Sequence, residues 1–353
     1  NSFIWTSEKD GFNHIYVYDK TGKLKKQVTK GNWEVTSYYG FDEKTNTVFY
    51  QSTENGSINR DVYRISLDGK NKLRLSKNTG TNAATFSPNF QYYINTFSSA
   101  NQPTAYTLNE TKIGKQVQSI EDNQALASKL KNYNLPSKEF FVMKTAKGNE
   151  LNAWIMKPKD FDPSKKYPVF MYQYSGPGSQ QVNNEWNSYD DYWFMMLTQQ
   201  GYIVACVDGR GTGFKGADFK KVTQKELGKY EVEDQIDAAK VIGNYAFVDK
   251  ARIGIFGWSY GGFMSSNCIL KGNDVFKMAI AVAPVTNWRF YDSVYTERYM
   301  QTPQENPDGY YRYSPISHAD KLKGKYLLIH GSGDDNVHLQ HTMRMMEVLE
   351  KLV

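Results

Sequence analysis

The sequence has 353 residues, 40% of them apolar and 15% aromatic, a globular composition long enough for about two domains. Its 43 Lys and Arg against 37 Asp and Glu leave a net charge of +6. The basic residues are scattered, apart from KLKK at 23–26 and Lys220–Lys221, so nucleic acid is not an expected partner. No run of about 18 apolar residues is present to span a bilayer. Cys206 and Cys268 lie in apolar runs and read as two buried free thiols, too few for a disulfide framework. Asn1 is not a natural start and no signal peptide precedes it. The sequence is therefore expected to be a fragment whose targeting segment, if any, was removed or lost.

Residues 1–120 read as short strands separated by turns. FIWTSEKDGFNHIYVYDKTGKLKKQV (3–28) recurs loosely as VFYQSTENGSINRDVYRISLDGKNKLRL (48–75) and as YYINTFSSANQPTAYTLNETKIGKQV (92–117). Tyr16, Tyr63 and Tyr106 hold matching places, 47 and 43 residues apart. A period of about 40–50 residues with four strands per unit is the pattern of a β-propeller blade. Segments 33–41 and 82–87 supply the inner strands of two blades, and the first unit is expected to lack one. Propellers close with about 4–8 blades. Either the rest precede Asn1, which is the expectation, or the units form an open array of sheets.

From residue 121 the pattern changes. NQALASKLKNYN (123–134) reads as a short helix and LPSKEFFVMKTAKGNELNAWIMKP as a hairpin. Strands YPVFMYQY (167–174), YIVACVD (202–208), RIGIFG (252–257), MAIAVAP (278–284) and YLLIHG (326–331) then alternate with helices near 188–199, 231–245, 261–271 and from 339 onward. Apolar runs without alternation imply strands buried on both faces, hence a parallel sheet flanked by helices. Residues 121–353 are therefore expected to form an α/β domain.

RIGIFGWSYGGFMSSN carries the strongest chemical signal. Gly257-Trp258-Ser259-Tyr260-Gly261 fits G-x-S-x-G, with a strand before it and a helix after it. In that setting a sharp turn lifts a serine hydroxyl clear of the sheet, and small neighbours let the backbone make the turn. The helix start beneath it favours developing negative charge. The Tyr260 backbone N–H, with a donor near the end of an earlier strand, would then stabilise an oxyanion.

YSGPGSQ, DGRGTG (208–213), ELGKYEVEDQ (226–235), GWSYGG (257–262), APVTNWRFYDSVYTERYM (283–300) and HGSGDDNVH (330–338) follow one another in order. Together they resemble the dipeptidyl peptidase IV branch of the prolyl oligopeptidase family, over essentially the whole chain. The resemblance implies an α/β-hydrolase domain with an N-terminal partial β-propeller. It implies Ser259 as the acylated nucleophile, Tyr174 as second oxyanion donor beside Tyr260, and Asp334 as the triad acid. Core packing is the alternative role for Tyr174, one that Tyr172 also fits, and Asp335 reads as a solvated turn carboxylate. Asn336 matches the residue that holds a substrate carbonyl. Val285, Trp288, Tyr291 and Tyr295, with Tyr260 and Val337, match an aromatic box for proline at P1, a flat ring with no N–H to satisfy. Their spacing of 3, 3 and 4 also fits one face of a helix, and the flanking motifs favour the pocket.

Gly211-Thr212-Gly213-Phe214-Lys215-Gly216 spells G-x-G-x-x-G after a strand, yet the acids that follow, Glu231, Glu233 and Asp234, open a helix, so no dinucleotide site is expected. No cofactor or metal site is expected either. His338 and His341, three apart, read as surface or capping residues. In the family the catalytic histidine follows the acid on a later loop, so the resemblance implies that the hydrolase domain 121–353 is incomplete at its C-terminus. No histidine in the chain is expected to replace that residue, and the chain by itself is expected to be inactive. The resemblance implies a serine exopeptidase acting on peptides with proline near the N-terminus, dimeric, and periplasmic, cell-surface or secreted. Dipeptidyl, prolyl tripeptidyl and acylaminoacyl release remain alternatives, as does an inactive hydrolase fold that serves as a binding scaffold.

Overall fold

The computed structural model describes residues 2–186 and 190–352. Three antiparallel sheets occupy the first third of the chain. The first holds β1 (Ser2–Ser7), β2 (His14–Asp19) and β3 (Leu24–Gln27). The second runs β4 (Val35–Asp42), β5 (Thr47–Ser52), β6 (Asp61–Ser66) and β7 (Leu73–Arg74), in that order. The third holds β8 (Thr81–Phe86), β9 (Tyr92–Ser99), β10 (Gln102–Glu110) and β11 (Gln116–Glu121), again side by side. None of these sheets closes on itself. The repeated tyrosines fall on β2, β6 and β10, and the expected inner strands are β4 and β8, each at the edge of its own sheet. The Asp turns have a common mechanism. Asp19 Oδ1 accepts the N–H groups of Thr21 and Lys23, and Asp68 Oδ1 accepts that of Lys70. Gly22 and Gly69 then take φ of 84° and 81°, which Cβ-bearing residues avoid.

A short helix, α1 (Gln124–Lys131), follows, and then a seven-stranded sheet. Its strands are β12 (Glu139–Lys144), β13 (Glu150–Met156), β14 (Tyr167–Tyr172), β15 (Ile203–Asp208), β16 (Val248–Trp258), β17 (Met278–Val282) and β18 (Lys325–Ile329). Their spatial order is β12-β13-β15-β14-β16-β17-β18. The hairpin β12–β13 joins antiparallel, and the five strands from β14 to β18 are mutually parallel. Every residue of β15 is buried, as two covered faces require. The helices are α2 (Asp190–Gln199), α3 (Ala217–Lys221), α4 (Tyr230–Gly243), α5 (Tyr260–Lys271), α6 (Ser293–Met300), α7 (Pro307–Arg312) and α8 (Gln340–Glu350). Residues 188 and 189 of the helix expected near 188–199 lie outside the described residues. Cys206 and Cys268 are free and buried, in β15 and α5.

By contacts the chain falls into two compact units. One comprises Asn1–Ser137, Asn183–Asp190 and Phe214–Asp218, the other Lys138–Val182, Asp191–Gly213 and Phe219–Val353. The second unit has one continuous apolar core, in which α5 is buried along eleven residues, Tyr260 through Leu270. Its polar residues are satisfied inside: Ser266 Oγ donates to the Gly262 carbonyl, and Asn267 Nδ2 donates to the Phe263 and Tyr313 carbonyls.

His341 departs from the sequence expectation. It is fully buried, and its Nδ1 accepts the Thr286 N–H at 3.1 Å while its carbonyl accepts the Thr286 hydroxyl. It is neither a surface nor a capping residue, because α8 turns it inward to satisfy a buried backbone donor. Burial, reinforced by His330, pushes its pKa down from 6.5 to about 4. The folded state therefore binds fewer protons than the unfolded one between these values. Stability from His341 is complete above pH 6.5 and is lost as pH falls through about 4. In urea titrations, the advantage of wild type over His341→Gln should grow as pH rises through this window. A pH-independent difference would contradict it.

Candidate active site

The spatial order of the parallel strands reverses at β14: the chain leaves it for β15 on one side and returns to β16 on the other. Open α/β sheets bind ligands at the carboxyl ends of the strands that flank such a switch point. Tyr174 follows β14 and Ser259 follows β16, so the two sequence-derived candidates stand on either side of it.

Ser259 has φ 58° and ψ −115°, a backbone state that a residue with a Cβ rarely adopts. Its N–H donates to the Val282 carbonyl at the end of β17 at 2.9 Å. Three glycines make the turn possible by backbone-to-backbone contact. A Cβ on Gly257 would lie 2.4 Å from the Gly261 carbonyl oxygen, and one on Gly261 would lie 2.6 Å from the Gln173 oxygen. One on Gly262 would lie 2.7 Å from the Val282 oxygen. Tyr260 opens α5, where the first N–H groups of a helix have no acceptor within it.

Tyr174 is half-buried, and its hydroxyl lies beside Ser259. Burial raises its pKa, with the neighbouring Ser259 offsetting part of that rise, so the phenol stays protonated. Its ring lies against Gly176, where a Cβ would come 2.5 Å from Cε1. Tyr172 packs against Phe194 and Phe256, while the Tyr174 ring packs against the core beside Tyr260. Gln173 between them is a residue that sequence reasoning missed. Its buried amide donates to the Gly261 carbonyl at 2.8 Å and to Ser265 Oγ at 3.2 Å, tying the Tyr174 strand end to the first turn of α5. A lone Gln at a strand end gives no sequence signal for such a role.

The aromatic residues do not lie on one helix. Trp288 begins a 3₁₀ turn, Tyr291 follows it in extended conformation, and Tyr295 belongs to α6, which Asp292 caps by accepting the Tyr295 N–H. Trp288 stacks on Tyr295 at 6.0 Å, Tyr291 meets Tyr295 edge-on at 5.3 Å, and Tyr260 lies 5.6 Å from Trp288. Val285 and Val337 are buried in the same core. The Tyr291 hydroxyl donates to Asn336 Oδ1 at 2.7 Å. Ser259, Tyr174, Tyr260, Trp288, Tyr291, Tyr295 and Asn336 thus form one chain of contacts.

Asp334 stands apart. Its Oδ1 accepts the Asn336 and Val337 N–H groups at 3.0 Å each, in the loop after β18. That strand is two places from β16, roughly 10 Å at ordinary strand spacing. The His330 ring is buried and its Nε2 lies 3.6 Å from Asp334 Oδ2, but its two nitrogens are bonded to the Val337 carbonyl at 2.6 Å and to the Thr342 hydroxyl at 2.7 Å. Asp335 is exposed. In the glycine-rich loop after β15, the Arg210 side chain and N–H are bound to Asp234, while Glu233 contacts Lys147 and Arg210. Among the described residues no cluster of three or more His, Cys, Asp or Glu is arranged to hold a metal ion.

Sequence models match two parts of the chain. One, described as the prolyl oligopeptidase family, matches residues 187–352, and one described as the dipeptidyl peptidase IV N-terminal region matches residues 1–104. Dipeptidyl peptidase 4 of Trichophyton equinum is 39% identical over 98% of this chain and 45% of its own length. The crystal structure of Porphyromonas gingivalis dipeptidyl peptidase 4 superposes with a TM-score of 0.96 at 52% identity, covering 100% of this chain and 49% of that one. A putative dipeptidyl aminopeptidase IV from Bacteroides ovatus superposes with a TM-score of 0.90 at 31% identity, covering 99% and 52%. The chain spans about half the length of the relatives it matches.

The glycine contacts give a stability test. Gly261→Ala should destabilise the protein by about 1–3 kcal/mol, because the new methyl has only backbone to displace. Gly331→Ala, with nothing within 4 Å, should be near neutral by thermal melting. Equal melting temperatures would contradict the packing account.

Proposed function

This chain belongs to the prolyl oligopeptidase family, and we propose that it carries the acyl-transfer machinery of a serine exopeptidase releasing dipeptides after proline or alanine. The observation that carries this reading is the strained Ser259 at the start of α5, with the Tyr174 hydroxyl beside it. In the proposed mechanism Ser259 Oγ attacks the scissile carbonyl and forms the acyl-enzyme as the amine leaves. The oxyanion receives the Tyr260 N–H and the Tyr174 O–H. Asp334 orients the imidazole that accepts the Ser259 proton and returns it to the leaving amine. None of the five histidines hydrogen-bonds Ser259 among the described residues, so we assign that base to a residue outside 1–353.

The P1 proline fits the box of Trp288, Tyr291, Tyr295, Tyr260, Val285 and Val337, and Asn336 holds a substrate carbonyl. We infer that the three antiparallel sheets are blades of a propeller and that the intact protein acts on peptides as a homodimer. The names of the similar proteins support dipeptide release over tripeptide release.

In the intact protein, Ser259→Ala should abolish cleavage of a Pro-P1 chromogenic dipeptide, and Tyr174→Phe should lower kcat by about 10²–10³. Near-wild-type turnover by the Phe variant would remove Tyr174 from the mechanism. The polypeptide of residues 1–353 alone should turn the same substrate over at a negligible rate, since triad members act as a unit. Turnover approaching that of the intact protein would mean that one of its own histidines serves as base.

A further inference from the structure

Glu231, near the start of α4, has no exposed surface, and its Oε1 accepts the Tyr260 hydroxyl at 2.6 Å. The Gly228 N–H donates to both carboxylate oxygens, at 3.2 and 3.1 Å. A carboxylate is costly to bury even when hydrogen-bonded, and an apolar side chain would fill the space without that cost. Packing alone therefore does not account for it.

What the carboxylate grips is the residue directly after Ser259. The Tyr260 ring is buried among Phe263 at 5.2 Å, Trp288 at 5.6 Å and Tyr174 at 6.1 Å. Its backbone continues the turn whose φ and ψ are strained at Ser259, and strained turns persist only where their surroundings over-determine them. A bond at the far end of the Tyr260 side chain is such a restraint. It acts at once on the Tyr260 N–H and on one wall of the aromatic box.

Resting on the acyl-transfer reading above, we propose that Glu231 is a positioning residue for that reaction, holding Tyr260 by its hydroxyl so that the Tyr260 N–H and ring are set against the scissile carbonyl and the P1 side chain. The groups facing the carboxylate agree with this. Tyr260 from α5 and Tyr295 from α6 are phenols kept neutral by burial, Asp234 on the same helix opposes its charge, and Lys271 at the far end of α5 attracts it. Burial first, then Asp234, raises Glu231 to about 7 against the pull of its hydrogen bonds. The tether is therefore bought at a standing electrostatic cost.

The test uses the intact protein with Tyr260→Phe, Glu231→Met and the double variant. kcat and KM for a Pro-P1 chromogenic dipeptide are normalised to serine titrated by a fluorophosphonate. Each single variant should lower kcat by about tenfold or more, as small misplacements of reacting groups do, with KM changed by less than about threefold. The double variant removes the Tyr260 hydroxyl that Glu231→Met leaves unpaired, while the Gly228 N–H still lacks its acceptor, and should regain part of the stability lost in Glu231→Met, yet its kcat should stay about tenfold low. Wild-type kcat per titrated serine in the double variant, or in Tyr260→Phe, would overturn the proposal and leave Glu231 with a structural role only. If Glu231→Met does not fold, Tyr260→Phe still decides the matter. Activity retained by Ser259→Ala would instead sink the acyl-transfer reading itself.

Discussion

Everything at the site depends on backbone touching backbone around Ser259. The serine can hold φ 58° only because β14, β16, β17 and α5 converge on it without intervening side chains. Gly257 lets the strand fold back on the helix, Gly261 lets the helix reach the end of β14, and Gly262 lets it reach the end of β17. The contacts are close-packed, so the strain cannot relax by a local shift. One hydroxyl is thereby presented at the carboxyl ends of the strands, beside the point where their order reverses.

Around this fixed point the chemistry is divided among separate elements. The end of β14 contributes Tyr174 and, through Gln173, a hydrogen-bonded brace onto α5. The irregular segment between β17 and α6 contributes the rings, its 3₁₀ turn and capped helix start aiming Trp288, Tyr291 and Tyr295 at a common centre. The loop after β18 contributes Asp334 and Asn336, the latter joined to the rings through Tyr291. Loops on a rigid sheet can hold such side chains to fractions of an ångström while their identities vary.

How much of this was legible in the sequence depended on whether a feature is local. The elbow was readable because its glycines are adjacent in the chain and their spacing has a steric cause. The parallel strands were readable because burial on both faces leaves unbroken apolar runs such as that of β15. The repeats were readable through the Asp turns after β2 and β6. Gln173, Glu231 and His341 were not, since each acts on a residue 29 to 92 positions away and carries no local pattern. The 3, 3, 4 spacing of the aromatic residues mimicked a helix face. The structure breaks that run into a turn, an extended residue and a helix, because Asn287 and Asp292 each cap a new start.

The account stands or falls on Ser259 being the group that is acylated. The most direct measurement is to label the intact protein with a fluorophosphonate, digest it, and map the adduct by tandem mass spectrometry. The account predicts a single phosphonyl group on Ser259, blocked by prior saturation with a Pro-P1 substrate analogue. An adduct on another serine, or stoichiometric inactivation with Ser259 unmodified, would contradict it.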